Sequence, residues 1–270
     1  MKLSELTRRL KDAGIENARA ESRKLFEHFG GKSREELLCG DAESFSDELL
    51  SAAERRAQRE PLQYILGSVG FYREEYAVTP ACLIPRQDTE VLVDTAVGLI
   101  PDGESILDIC TGSGCVAIST LCNTENTHAT AVDISADALN VARENAEKNG
   151  VSDRIDFIMA DALSEKLTGE FFAVISNPPY VTEDEYTSLD AEIYYEPKIA
   201  FVGGKDGLDF YRRLTELYRD SIKDGGFIAY EIGYRQAEGL SEIAKDNRMS
   251  CEIIDDLGGN PRVALLRKTQ

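Results

Sequence analysis

The sequence predicts an α/β protein: a mostly parallel sheet closed by an antiparallel pair of strands, preceded by a small bundle of helices. Three observations lead there. Apolar residues recur at helical spacing through about the first sixty positions. From about Asp88 onward, short apolar runs alternate with stretches of helical periodicity, the pattern of parallel βαβ units. The last two apolar runs are separated only by the tight turn Leu257-Gly258-Gly259-Asn260-Pro261, too short for a crossover and suited to an antiparallel pair.

In the bundle, Leu3, Leu6 and Leu10 share one helical face, and a second periodic segment over 17–29 stops at Gly30-Gly31. Ser33 and Glu36 make a capping box for a short third helix, because each side chain can satisfy an amide that the first turn leaves free. A fourth helix is expected over 46–58. Residues 61–80 change character: β-branched and aromatic residues alternate around Gly67 and Gly70, which reads as a hairpin or extended connector. Strands are expected over 105–110, 128–133, 154–160 and 171–176, then a long loop around 177–206 and a helix over 208–222. A strand over 225–232, a helix over 235–246 and the two strands 250–256 and 262–267 complete the chain. The domain boundaries implied are a helical domain over 1–62, a hairpin or linker over 63–82 and a sheet domain over 83–270.

The net charge of −19 is unevenly divided. Residues 1–75 carry 13 Lys and Arg against 15 Asp and Glu, a balance of −2, which leaves −17 on the remainder. So acidic a sheet domain repels phosphate backbones and argues against direct binding of nucleic acid. The six cysteines, at 39, 82, 110, 115, 122 and 251, have neither paired CxxC spacing nor neighbouring histidines, so no metal site is expected and a reducing cytoplasm is. The apolar runs fall short of the ~20 residues that span a bilayer, and the amino terminus is an amphipathic, charged pattern rather than a secretory signal, so no membrane association is expected.

The run Ile106-Leu107-Asp108-Ile109-Cys110-Thr111-Gly112-Ser113-Gly114 is a buried strand passing into a glycine turn, with a helix over 115–121 behind it. Glycines suit a turn of unusual dihedrals against which a ligand must approach the backbone. Gly112 to Ala117 also satisfies the dinucleotide pattern GxGxx[GA], and Asp133 lies nineteen residues past Gly114, near where a ribose-binding acid is expected. By itself the turn does not separate a nicotinamide cofactor from S-adenosylmethionine. Two features decide for S-adenosylmethionine: an acid at Asp108 suits a cationic amino-acid moiety and not a pyrophosphate, and Asn177-Pro178-Pro179-Tyr180 has a task in methyl transfer and none in hydride transfer. On this reading the cofactor meets Asp108, Cys110, Thr111, Gly112, Ser113 and Gly114; Asp133 accepts the ribose hydroxyls; Asp161 and Ala162 flank the adenine. Asp161 equally suits a turn or helix cap.

Asn177-Pro178-Pro179-Tyr180 follows the apolar run 171–176 directly. Two successive prolines cannot continue a central strand, so the strand ends in a rigid loop that holds Asn177 and Tyr180 at its carboxyl edge, where open α/β sheets bind ligands. The tetrapeptide is similar to the pocket with which one class of methyltransferases grips a planar nitrogen. An amide nitrogen is a weak nucleophile, so it needs positioning: the Asn177 side-chain oxygen and the Pro178 carbonyl would accept its two N–H groups, and Tyr180 would cover its flat face. Asp184, Glu185, His28 and His128 offer no persuasive general base. With this pocket the expected fold sharpens to a Rossmann-like, seven-stranded class I methyltransferase domain.

These residues resemble the family of release-factor glutamine N5-methyltransferases, also called HemK or PrmC. Besides the tetrapeptide, the resemblance covers Pro61 to Gly67, Leu83-Ile84-Pro85-Arg86-Gln87-Asp88-Thr89-Glu90, Gly203 through Tyr211, Glu231 to Gln236 and Asp256 to Arg262. It implies methylation of the glutamine in the Gly-Gly-Gln loop of class 1 peptide chain release factors, with the helical domain helping to dock that protein. Arg86 and Glu90 fall in a segment next to the cofactor cleft and are further candidates for substrate binding, with a salt bridge at the start of a helix as the equal alternative. A ribosomal-protein glutamine or an exocyclic amine of a nucleic-acid base are the alternative targets. The chain departs from the family at Cys110, usually glycine, at Gln87, usually proline, and at Ala162, where some members carry an aromatic residue.

Overall fold

The computed structural model describes residues 1–269, which form two compact units: Met1–Ser68 together with Asp190–Tyr195, and Val69–Leu189 together with the chain from Glu196 onward. The first unit is helical, with α1 (Leu3–Asp12), α2 (Ala18–Phe29), α3 (Arg34–Cys39), α4 (Asp47–Ala57) and α5 (Leu62–Leu66). Leu3, Leu6, Leu10, Leu25, Phe26, Leu37 and Leu49 fill its core. The capping box at Ser33 and Glu36 is formed, and the Ser46 hydroxyl accepts from the Leu49 amide at the start of α4. Segment 190–195 joins this unit through buried Arg56, whose guanidinium meets Glu21 and, at 2.9 Å, Glu192.

Residues 61–80 are not extended throughout. Pro61 caps α5 and Gly67 ends it in the left-handed conformation. Leu62 and Ile65 are buried in the helical core, and that burial outweighs the strand-like local composition. Only β1 (Ser68–Phe71) and β2 (Glu74–Ala77) make the expected hairpin.

The sheet of the second unit has seven strands in the order β5-β4-β3-β6-β7-β9-β8. These are β3 (Ser105–Ile109), β4 (His128–Asp133), β5 (Ile155–Met159), β6 (Phe171–Ser176), β7 (Ile222–Glu231), β8 (Met249–Asp255) and β9 (Pro261–Lys268). The first five pair in parallel, and β9 runs antiparallel to both β7 and β8. Around them lie α6 (Glu90–Leu99), α7 (Cys115–Cys122), α8 (Ala136–Lys148), α9 (Glu183–Tyr186), α10 (Asp209–Tyr218) and α11 (Ala237–Asp246).

Alternation along the strands builds two cores. Ile106, Ala173, Ile175, Phe227, Ala229, Val263 and Leu265 pack with α6 and α7, whereas Leu107, Val174, Ile228, Tyr230, Ala264 and Leu266 pack with α10 and α11. Because β3 and β6 lie at the centre, flanked by β4 and β7, their carboxyl ends open side by side at the place where the strand order reverses. The loop after β6 is more structured than expected. Thr182, the N-cap, and Glu185 form a capping box for α9.

Candidate functional site

The loop leaving β3 is shaped by its own backbone. Cys110, Gly112 and Gly114 have φ of 61°, 55° and 81°. The Thr111 amide donates to the Val132 carbonyl at 3.0 Å, and the Gly114 amide to the Thr111 carbonyl at 2.8 Å. Buried Asn145 on α8 ties the loop to the hairpin, donating through Nδ2 to the Ser113 and Ala77 carbonyls and accepting the Ala77 amide at 2.7 Å. Cys110 is the only non-glycine of the three, and its left-handed φ is a conformation that glycine adopts at least cost. The conformation carries strain of roughly 1–3 kcal/mol for a side chain.

Asp108 lies beneath this loop. It is 1 % exposed, accepts from the Thr111 hydroxyl at 2.6 Å, and burial pushes its carboxyl up from 3.8 to about 7. It holds the turn from within and is not among the residues that line the cavity. Thr111, Ser113 and Gly114 likewise shape the turn, leaving Cys110 and Gly112 to line the cavity.

That cavity, about 340 Å³, lies at the carboxyl ends of the central strands. Asp133 closes β4 and shares its carboxylate between the Gly112 amide on Oδ2 and the Ser135 amide on Oδ1, each at 2.9 Å. Burial raises its pKa even so. Each oxygen retains a further lone pair for a ligand. Asp161 lines the cavity and also serves as a turn residue, its Oδ1 accepting the Leu163 amide at 3.0 Å and its Oδ2 the Ser164 hydroxyl at 2.8 Å. Ala162 is on the wall, and the apolar surface that it is too small to provide comes from Ile134, Leu163, Ile199 and Phe210. The wall holds these two carboxylates and, among the described residues, no Lys, Arg or His. The Cys110 thiol, also on the wall, is pushed up by burial and by the nearby Asp133, which makes it a poor nucleophile.

Asn177 and Pro179 form the adjoining side of the cavity. The Asn177 amide donates through Nδ2 to the Thr89 hydroxyl at 3.2 Å. Pro178 is buried and is not on the wall, and the Tyr180 hydroxyl donates to Glu231 Oε1 at 3.2 Å. The loop is clamped from a distance. A Cβ on Gly203 would come within 2.3 Å of the Pro179 oxygen, and one on Gly207 within 2.2 Å of the Tyr180 oxygen. Gln236 Nε2 donates to the Tyr180 and Gly207 carbonyls, each at 3.1 Å, while its Oε1 accepts the Gly233 amide at 2.9 Å. The Gly203–Tyr211 and Glu231–Gln236 segments are thus the counter-surface of the tetrapeptide, a role their sequence did not disclose.

Arg86 and Glu90 are not on the cavity wall. Arg86 pairs with buried Glu196, whose Oε2 also accepts the Ile84 amide at 2.9 Å, and Glu90 Oε1 accepts the Tyr72 amide at 2.9 Å. Arg86 thus forms an ion pair, whereas Glu90 accepts a backbone amide instead of pairing with a cation. Thr89, Asn145, Glu196 and Glu231 escaped the sequence reading, because a lone polar residue shows no partner until the fold supplies one. Among the described residues no group of three or more His, Cys, Asp or Glu is arranged to hold a metal ion, and no helix is long and apolar enough to cross a membrane.

Two family models match: the PrmC N-terminal domain over residues 2–67 and the methyltransferase small domain over 87–194. A release factor glutamine methyltransferase of Geobacter sulfurreducens is 35% identical, over 94% of this chain and 91% of its own. A bifunctional methyltransferase of Rickettsia conorii is 36% identical over 97% of this chain, and this chain spans only 56% of that relative. Among solved structures, a ribosomal protein L11 methylase of Lactobacillus delbrueckii subsp. bulgaricus superposes with a TM-score of 0.52 at 17% identity, covering 72% of this chain and 84% of that one. At that identity the likeness concerns the fold alone.

Proposed function

The chain belongs to the release factor glutamine methyltransferase family, and from that premise we propose that it methylates the side-chain amide nitrogen of the glutamine in the Gly-Gly-Gln loop of class 1 release factors. The methyl donor is S-adenosylmethionine, and the place of work is the cytoplasm, where release factors act. One observation carries the reading: a cavity walled by Asp133, Asp161 and apolar side chains, without a basic residue among the described ones, opens onto Asn177. Such a wall suits a cationic ligand that carries no phosphate and opposes a dinucleotide, whose pyrophosphate would face two carboxylates.

The donor, when bound, supplies an electrophilic methyl group on a cationic sulfur. Asp133 would accept ribose hydroxyls, Asp161 and Ala162 would flank the base, and the loop Cys110 to Gly114, held from beneath by Asp108, would give the donor backbone access. Asn177 Oδ1 and the Pro178 carbonyl accept the two N–H groups of the target amide and orient its nitrogen. Their hydrogen bonds strengthen as that nitrogen becomes positive, which stabilises the transition state more than the ground state. Pro179 keeps the loop rigid, and Tyr180, anchored on Glu231, borders the target. No side chain is required as an obligatory base, because a methylated cationic nitrogen loses its proton readily.

The test is transfer of labelled methyl from S-adenosylmethionine to a release factor and to its Gln→Ala loop variant. Label on the first alone is expected. Equal label on both removes the glutamine assignment.

A further inference from the structure

Part of the cavity wall is not built on the sheet. Ala81, Cys82 and Leu83 on one stretch of chain, and Pro197, Ile199 and Ala200 on another, line the cavity without belonging to any strand. A wall made of loops has no ladder of strand hydrogen bonds to fix its spacing, so it needs another hold. The two stretches meet through one side chain. Ile84 directly follows the first and Glu196 directly precedes the second, and the Ile84 amide donates to Glu196 Oε2 at 2.9 Å. Glu196 is 5 % exposed, and its Oε1 pairs with the Arg86 guanidinium, close behind Ile84 in the chain. A carboxylate is tolerated in the interior where its charge and its oxygens are met, and these two partners both come from the continuation of the first stretch. An apolar side chain could fill the same space but could not accept the amide.

The second stretch does not stop at the wall. The Val181 amide donates to the Phe201 carbonyl at 2.8 Å and the Gly203 amide to the Val181 carbonyl at 2.9 Å, and Val181 directly follows the tetrapeptide. From Glu196 to Gly203 the chain is thus held at both ends, by the carboxylate joint at Ile84 and by a backbone bridge next to Tyr180. Pro197, Ile199 and Ala200 lie between the two holds. Neither Glu196 nor Arg86 is among the residues that line the cavity, so an effect of either on a ligand passes through this span.

We propose that Glu196 is a positioning residue of the donor site. Its carboxylate joins residues 81–84 to 196–200 and sets the spacing of the two loop walls, and the span to Gly203 carries the same placement to the tetrapeptide. Arg86 meets the charge of that carboxylate and orients it. The inference rests on this cavity taking the methyl donor and not on which amide is methylated.

The test is calorimetric titration of S-adenosylmethionine into the full-length wild type and into Glu196→Leu, Glu196→Gln, Arg86→Gln and Arg86→Lys. Calorimetry reports the number of sites and their Kd separately, and a side chain that only stabilises the fold changes the first and not the second. Glu196→Leu leaves the Ile84 amide without its acceptor and is expected to raise Kd on the order of 10-fold with one site per folded chain. Glu196→Gln keeps an acceptor for that amide but loses the ion pair, so its Kd lies between those of wild type and Glu196→Leu. Arg86→Gln follows Glu196→Gln, and Arg86→Lys, which keeps a cation for Oε1, recovers most of what Arg86→Gln loses. Methyl transfer at saturating donor should lose kcat in the same order, because the span ends beside the tetrapeptide. Wild-type Kd in the Glu196 variants, or fewer sites of unchanged Kd, overturns the proposal; if Glu196→Leu does not fold, Glu196→Gln and Arg86→Gln decide by the same criterion. A wild type that binds the donor and does not label a release factor overturns the glutamine assignment and leaves this joint standing.

Discussion

The loops that follow β3 and β6 lie side by side at the carboxyl edge of one sheet, yet they are held in different ways. The first is a device of local backbone geometry: three residues of one turn, Cys110, Gly112 and Gly114, take left-handed dihedrals, and the supporting carboxylate, Asp108, comes from the same strand. The second is stiff by composition but is placed by remote residues. Gly203 and Gly207 pass against its carbonyls, Gln236 bonds two backbone oxygens around it, and Thr89 and Glu231 receive its side chains. A loop that holds a ligand by its backbone can be specified locally. One that must aim a particular side-chain oxygen needs a surrounding shell, because two prolines constrain φ and leave χ angles free.

Substitutions that exchange the effects of the two loops would break this comparison. The largest contrast is expected between Asn177→Ala and Asp133→Ala. The first should lower kcat by roughly 100- to 1000-fold with donor affinity largely kept, as loss of a transition-state acceptor does. The second should weaken donor binding first. Steady-state kinetics with calorimetric titration of S-adenosylmethionine separates the two, and weakened donor binding as the main effect of Asn177→Ala would merge the two sites into one.

Gly203→Ala comes next. Its methyl would meet the Pro179 carbonyl, and the forced displacement should destabilise the protein by about 1–3 kcal/mol and reduce kcat, as overpacking against backbone does. Chemical denaturation measures the first quantity. Wild-type stability and turnover together would show that the tetrapeptide does not depend on its counter-surface.

The smallest effect is expected at Cys110. Replacing it by glycine relieves a left-handed side chain, a gain of about 1 kcal/mol that is offset by the greater freedom of glycine in the unfolded chain and by lost apolar packing. Stability within about 1 kcal/mol of wild type and unchanged kcat are therefore the expected outcome. A large loss in the denaturation midpoint would mean that the thiol, and not the turn, organises this loop.

Much of the fold was legible because burial enforces a period. β4 and β6 fall on the runs 128–133 and 171–176, and the antiparallel β8 and β9 could be read from the tightness of the turn between them. The misreading at 62–66 shows the limit: local composition favoured an extended connector, and the core of the helical unit made a helix of it. At the site, the glycine turn, Asp133, Asp161 and Asn177 were visible as residue types in characteristic places. Asp108 was visible too, but its burial beneath the loop was not, since a sequence does not show which way a side chain points.

What the sequence determined by itself was the order of strands and helices, the two loops at the sheet's carboxyl edge and the chemistry available in them. These follow from hydrophobic period, from glycine and proline dihedrals and from side-chain identity, all local properties. Tertiary structure alone decided which acids face the cavity, that Arg86 belongs with Glu196, and that Gln236 and Glu231 support a tetrapeptide more than fifty residues earlier in the chain. Hydrogen bonds and close contacts between distant segments depend on distances of a few ångströms, and those are set only when the sheet brings its strand ends together.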